Sequence, residues 1–232
     1  TFYYDDGTMQ REGFFKEGLP DGVWTYWNKA GEKDFDFDFG TGLEHIALED
    51  LVEREATFFK LGDDSPFTGI ITQENPETDY LFLGRTKNGK KDGQWVKWFP
   101  SGKDVPEIIL VEVPAPEPEV PWSGGKQEQG GFKEGQKHGK WTEWYDNEHI
   151  KSHGEYKDGI MDGYWTFYHR NGIKEKEGSL EKGNANGLWT FYDNESKKIQ
   201  EGSFTNGIKE GQWVAWFDDC LLYTSPSPRD IG

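Results

Sequence analysis

Gly163-Tyr164-Trp165-Thr166-Phe167-Tyr168 decides the fold, because it returns almost unchanged as Gly187-Leu188-Trp189-Thr190-Phe191-Tyr192. Gly-x-Trp also opens at Gly139 and Gly211, so Trp141, Trp165, Trp189 and Trp213 succeed one another at intervals of 24 residues. A second aromatic trails each by three positions, at Trp144, Tyr168, Tyr192 and Trp216. Gly154, Gly178 and Gly202 keep the same period, as do Gly159, Gly183 and Gly207, with Tyr156, Leu180 and Phe204 between them. Self-similarity at a fixed period of this size is the mark of a tandem repeat, and it outranks any local motif.

One unit reads as one β-hairpin. Trp165-Thr166-Phe167-Tyr168 has the aromatic and β-branched composition of a pleated surface, and Asn171-Gly172 follows as a turn. Residues 174–180 run back as a second strand. Asp158-Gly159, Asn206-Gly207 and the 182–187 segment supply the other turns, so the glycines read as hairpin punctuation. Two strands of about five residues with tight turns fill the period. The expectation is an all-β, elongated antiparallel meander of hairpins in a single twisted sheet.

In a regular strand, residues three apart face opposite sides, so Trp165 and Tyr168 share a core only if a bulge intervenes. One slot is then structural, marked by Gly22, Trp24, Gly93, Trp95, Gly139, Trp141, Gly163, Trp165, Gly187, Trp189, Gly211 and Trp213. The other makes Trp27, Trp98, Trp144, Tyr168, Tyr192 and Trp216 candidate partner-contact aromatics, unless both slots only shield a thin sheet.

Composition agrees with a thin sheet. Hydrophobic residues are 33% of the chain, yet it holds 30 Gly and 11 Trp: few aliphatics for a deep core, many rings to cover strands. Lys and Arg total 26 against 43 Asp and Glu, a formal net charge of −17. That surplus keeps the surface solvated and opposes attraction to nucleic acid or anionic bilayers. No apolar run reaches the length of a membrane span, and the one Cys excludes an internal disulfide.

Along the chain, residues 1–39 carry the first units, entering partway through one: Asp6-Gly7, Gly13, Phe15 and Gly18 occupy the later turn and strand positions. Phe35-Asp36-Phe37-Asp38-Phe39 alternates with period two, the pattern of a half-buried strand. Residues 40–68 lose the register, and 43–54 read either as a short helix or as an irregular connection or strand. Units resume over 69–103, the first degenerate, with Ile71 in the Trp position and Pro76 in the turn. Residues 104–123 hold Pro106, Pro114, Pro116, Pro118 and Pro121 and read as a semi-rigid spacer, or as a docking peptide for an aromatic groove. Four regular units fill 124–218. The 219–232 tail resembles a translated sequencing adapter, and we set it aside.

Catalytic constellations are missing from the pattern, since the carboxylates scatter through turns and strands; no enzyme and no cofactor are expected. His138, His149, His153 and His169 lie close in sequence, with His149 and His153 placed to face each other across a turn, and His45 sits among Glu44, Glu49 and Asp50. None has a second ligand at metal spacing, so no metal is expected.

The unit Gly-x-Trp-x-x-Tyr/Trp…Asn-Gly…Glu-Gly-x-Tyr-Lys-x-Gly resembles the bacterial variant of the MORN repeat, the type found in an antitoxin family. The match is fullest from Gly154 to Gly178, through Glu155, Tyr156, Lys157, Asp158 and Asp162. Ser65-Pro66-Phe67-Thr68-Gly69 is similar to a segment near the start of such arrays. The resemblance implies a sheet of consecutive hairpins with a binding or scaffolding role. The antitoxin label implies a toxin partner, and the lipid attachment proposed for eukaryotic relatives is opposed by the acidic balance. The reading is a scaffold for a protein partner. A glycan-binding envelope module is the alternative, which requires the second aromatic series to be exposed among polar neighbours. A periplasmic or cell-surface location is favoured over the cytoplasm.

Overall fold

The computed structural model describes residues 1–73, 82–98, 125–216 and 222–225. The Pro-rich segment, Pro76 and most of the tail lie outside them. The chain divides into two units, Thr1–Trp95 and Val96–Gly232. Both are built of strands, with one 3-10 turn at Leu48–Asp50 and no α-helix among the described residues.

In the first unit, β1 (Phe2–Tyr3), β2 (Met9–Lys16), β3 (Leu19–Trp27) and β4 (Lys33–Asp38) form an antiparallel sheet in chain order. Residues 43–54 resolve into β5 (His45–Ala47), the 3-10 turn and β6 (Leu51–Arg54), which pairs with β7 (Thr57–Lys60). β5 then lies parallel to β8 (Gly69–Gln73), which pairs antiparallel with β9 (Phe82–Lys87), followed by β10 (Lys90–Trp98). The expected single sheet is thus divided here into separate ladders, and β5–β8 departs from the antiparallel pattern. The alternation in β4 is seen directly: Phe35, Phe37 and Phe39 are buried while Asp36 and Asp38 face solvent.

The second unit holds a regular meander: β11 (Lys126–Lys133), β12 (Gln136–Trp144), β13 (Ile150–Lys157), β14 (Ile160–Tyr168), β15 (Lys174–Glu181), β16 (Asn184–Tyr192), β17 (Lys198–Thr205) and β18 (Ile208–Trp216). Each pairs with its sequence neighbours, and β19 (Leu222–Ser225) lies on the outer edge of β18. The strands are eight or nine residues long rather than about five. The turn predicted over 182–187 shrinks to Lys182-Gly183, because both residues take positive φ (49° and 82°) and close a two-residue hairpin. Asn206-Gly207 does the same (52° and 80°). The opposite ends carry longer loops, closed for example by Gly172 N–H on His169 O at 2.9 Å.

The recurrent Trp lies over the glycine of the preceding strand. A Cβ on Gly154, Gly178 or Gly202 would fall within 3.0 Å of the indole of Trp165, Trp189 or Trp213. Gly13 under Trp24, Gly84 under Trp95 and Gly130 under Trp141 repeat this arrangement. These glycines lie within strands and are not turn punctuation: they are empty seats for rings. Except at Trp141, whose buried indole nitrogen finds no partner, the indole N–H then reaches the next carbonyl, as Trp165 donates to Glu155 O (3.1 Å), Trp189 to Ser179 O (3.0 Å) and Trp213 to Ser203 O (3.2 Å). Tyr156 and Phe204 stand edge-on to Trp165 and Trp213, Phe167 stacks between Trp165 and Trp189, and Phe191 lies tilted between Trp189 and Trp213. The first glycine of Gly-x-Trp is also inside a strand. Gly163 has φ 77° beside a register shift, a bulge that residues with a Cβ enter only with strain.

The loops are stitched forward along the array. Tyr145 Oη donates to Tyr168 O (2.9 Å), Asn147 Nδ2 to Arg170 O (2.7 Å) and Asn171 Nδ2 to Asn194 O (3.2 Å).

If the glycine seat is what the ring requires, Gly178→Ala should cost about 1–3 kcal/mol or more in urea unfolding, since the well-packed Trp189 must move. In a Trp189→Leu background the same change should cost far less, and equal costs in both backgrounds would refute the contact as the cause.

Candidate functional site

Alternation along β14 and β16 places Trp165, Phe167, Trp189 and Phe191 on one face and Thr166, Tyr168, Thr190 and Tyr192 on the other. The second aromatic slot is therefore opposite the Trp core. Trp27, Trp98, Trp144, Tyr168, Tyr192 and Trp216 are all half-buried, neither sealed nor fully open. Trp24, Trp95, Trp141, Trp165, Trp189 and Trp213 are buried on their own face.

Between the rings runs a polar row that sequence reading did not pick out. Glu177 pairs across the ladder with both Thr166 and Thr190, and Glu201 with Thr190 and Val214. Each carboxylate holds a lysine of its own strand: Lys174 Nζ donates to Glu177 (2.8 Å) and Lys198 Nζ to Glu201 (2.7 Å). Thr190 Oγ1 donates to Glu201 (3.0 Å), and Tyr192 Oη to Glu177 (2.7 Å). Thr25, Lys33 and Asp36 make the same triad in β3 and β4, at 2.7 Å for both bonds. The bulge is what assembles it. Phe167 faces Lys176 but Tyr168 faces Lys174, so Glu175 is the extra residue and positions 174 and 177, three apart, share a side. The signal available in the sequence was Lys-x-x-acid at 33/36, 174/177 and 198/201, in register with the period.

Electrostatics follow the bonds. Desolvation pushes the Glu177 carboxyl up, but the bonds from Lys174 and Tyr192 outweigh it and its pKa falls. Lys174 is raised by the same bond to Glu177. Glu201 and Asp36 are lowered chiefly by the lysine each accepts from. The Tyr192 phenol is pushed up to about 12, first by desolvation and then by its bond to Glu177 and the charge of that carboxylate.

Lysines also meet the rings: Lys126 Nζ lies 4.9 Å from the Trp144 ring centre and Lys198 Nζ 5.8 Å from that of Trp216. Beside Trp144 opens a depression of about 490 Å³ lined also by Tyr145, Glu143, Lys151 and Arg170. Its carboxylates are paired, Glu143 with Lys137 and Lys151 and Asp146 with Arg170.

The histidines are dispersed. His138 meets Asp158 (3.4 Å), His149 Nδ1 lies 2.9 Å from Arg170 O, and His169 Nε2 3.3 Å from Tyr192 O. His149 and His153 do not face each other across a turn as expected: His153 is within β13, its ring 5.7 Å from that of Tyr168. His45 stacks on Phe39 (5.5 Å), and burial lowers its pKa. No group of three potential ligands that could hold a metal occurs among the described residues. No helix among them is long and apolar enough to cross a membrane.

The family model described as "MORN repeat variant" matches residues 1–17 and 137–158, one segment in each unit. A comparison with curated proteins finds no match. Among solved structures, a chain of "Crystal structure of GtfA/B complex bound to UDP and GlcNAc" is similar over 79% of this chain and 30% of that one, at 9% identity. The TM-score is 0.18.

The Tyr192 contact has a titration signature. Its folded pKa of about 12 exceeds the ordinary 10.0, so its contribution to stability is complete below pH 10 and drains away as pH rises through 12. In an absorbance titration Tyr192 should be the last tyrosine to ionise, behind Tyr145, Tyr156 and Tyr164, which are also raised, and Glu177→Gln should bring it part of the way back. A last-ionising tyrosine left unmoved by Glu177→Gln would contradict the bond.

Proposed function

We propose that this chain is a non-enzymatic β-repeat scaffold that holds an extended protein partner against the face bearing the second aromatic slot. The observation that carries the reading is the division of labour between faces. The Trp core needs only its glycine seats and its Phe and Tyr neighbours, yet the opposite face repeats half-buried rings as well. Rings left partly in water at one per unit are contact area offered at regular intervals. MORN repeats serve as binding modules, which agrees with this use.

No catalytic role is needed to explain the polar row. Glu177, Glu201 and Asp36 are each held below the ordinary carboxylate value by lysines, the reverse of a general acid poised near neutrality. The row fixes the ring positions: Tyr192 is tethered through Glu177 to Lys174.

The double variant Trp144→Ala, Trp216→Ala should lose a co-purifying protein partner while keeping its β-sheet circular dichroism and most of its thermal stability. The same pair on the other face, Trp165→Ala and Trp189→Ala, should unfold the array, since each truncation of a buried Trp costs about 3–5 kcal/mol. Partner capture unchanged by the first pair would refute this surface.

A further inference from the structure

We propose that the ringed face takes a proline-rich segment in polyproline II conformation, one ligand turn per repeat. This rests on the scaffold reading and specifies its partner. The first argument is metric. Equivalent side chains in successive units are two strands apart, and strands lie about 4.8 Å apart, so the rungs recur at about 9.6 Å. A polyproline II helix turns once in three residues at about 3.1 Å each, about 9.3 Å, and so presents the same side at nearly that interval. A β-conformation ligand turns alternate residues to opposite sides and falls out of step with the rungs after three.

The second argument is chemical. The Trp144 and Trp216 indole N–H groups make no hydrogen bond among the described residues, and both rings are half-buried. Polyproline II has no internal hydrogen bonds, so its carbonyls need external donors, and its rings pack on aromatic faces. Tyr192, bonded across the ladder to Glu177 on the adjacent strand, is laid over the sheet, where a pyrrolidine can rest on it.

Charge is the third. The chain carries −17, but on this face of the second unit the carboxylates of Glu177 and Glu201 are neutralised by Lys174 and Lys198 at 2.7–2.8 Å. A strongly charged ligand would have to break those pairs. An uncharged, pre-ordered proline segment leaves them intact and loses little conformational entropy on binding.

The test titrates the intact protein with oligoprolines lengthened one residue at a time, read by tryptophan fluorescence and calorimetry. Affinity should climb in steps of three residues as each new rung is reached. Trp144→Ala and Trp216→Ala should each weaken binding about tenfold, with Trp→Phe at either site recovering part of it and circular dichroism unchanged. A smooth rise with length, no binding, or undiminished binding in both alanine variants would overturn the proposal. So would binding of a β-linked oligosaccharide in place of oligoproline. If oligoproline fails while the alanine pair still loses its co-purifying partner, the polyproline proposal falls and the scaffold reading stands.

Discussion

A tryptophan ring resting where a side chain cannot be is the contact on which this architecture depends. A strand surface ordinarily fills itself with Cβ atoms, and an indole laid flat across the neighbouring strand would collide with them. Removing one Cβ per unit, at Gly154, Gly178 and Gly202, lets Trp165, Trp189 and Trp213 sit against backbone and reach a carbonyl with their N–H. The sheet thereby builds a buried layer from its own face, which a chain poor in aliphatics could not obtain by stacking a second layer. The period of 24 follows from this geometry, because Trp and glycine must meet across one hairpin and again across the next.

The same geometry frees the reverse face. Since the Trp layer supplies the burial, the opposite side can carry threonine, paired charges and rings in partial contact with water. Its order comes from short bonds between near neighbours: Lys174, Glu177 and Tyr192 form one chain of contacts, and Lys198, Glu201 and Thr190 another. Exposed ion pairs of this kind contribute little to stability. They fix where the rings stand.

Much of this was legible in the residues. The hairpin unit, the two turn families and the opposition of the Trp slot to the second aromatic follow from period and parity, and the Phe35, Phe37, Phe39 alternation was read as the structure has it. Strand length was not legible, because strands here extend through lysines and glutamates such as Lys174 and Glu175 that carry no β signature. Glycine is ambiguous by nature: Gly207 in a turn and Gly202 under an indole look alike until a partner ring is placed. The Lys–acid pairs were hidden because residues three apart should point to opposite sides, and only the extra residue at Glu175 reverses that. The ladders of the first unit depend on pairings of distant residues, such as β5 with β8, that no local period announces.

The forward bonds between loops give the array a direction. Tyr145, Asn147 and Asn171 each donate to a carbonyl 23 residues ahead. A whole unit spliced in or lost therefore re-creates the same junctions at the new seam, whereas a partial unit leaves donors and carbonyls out of step. Unequal recombination in whole-unit increments is the change in length that leaves these junctions intact, so copy number, rather than loop length, is the natural variable of such an array.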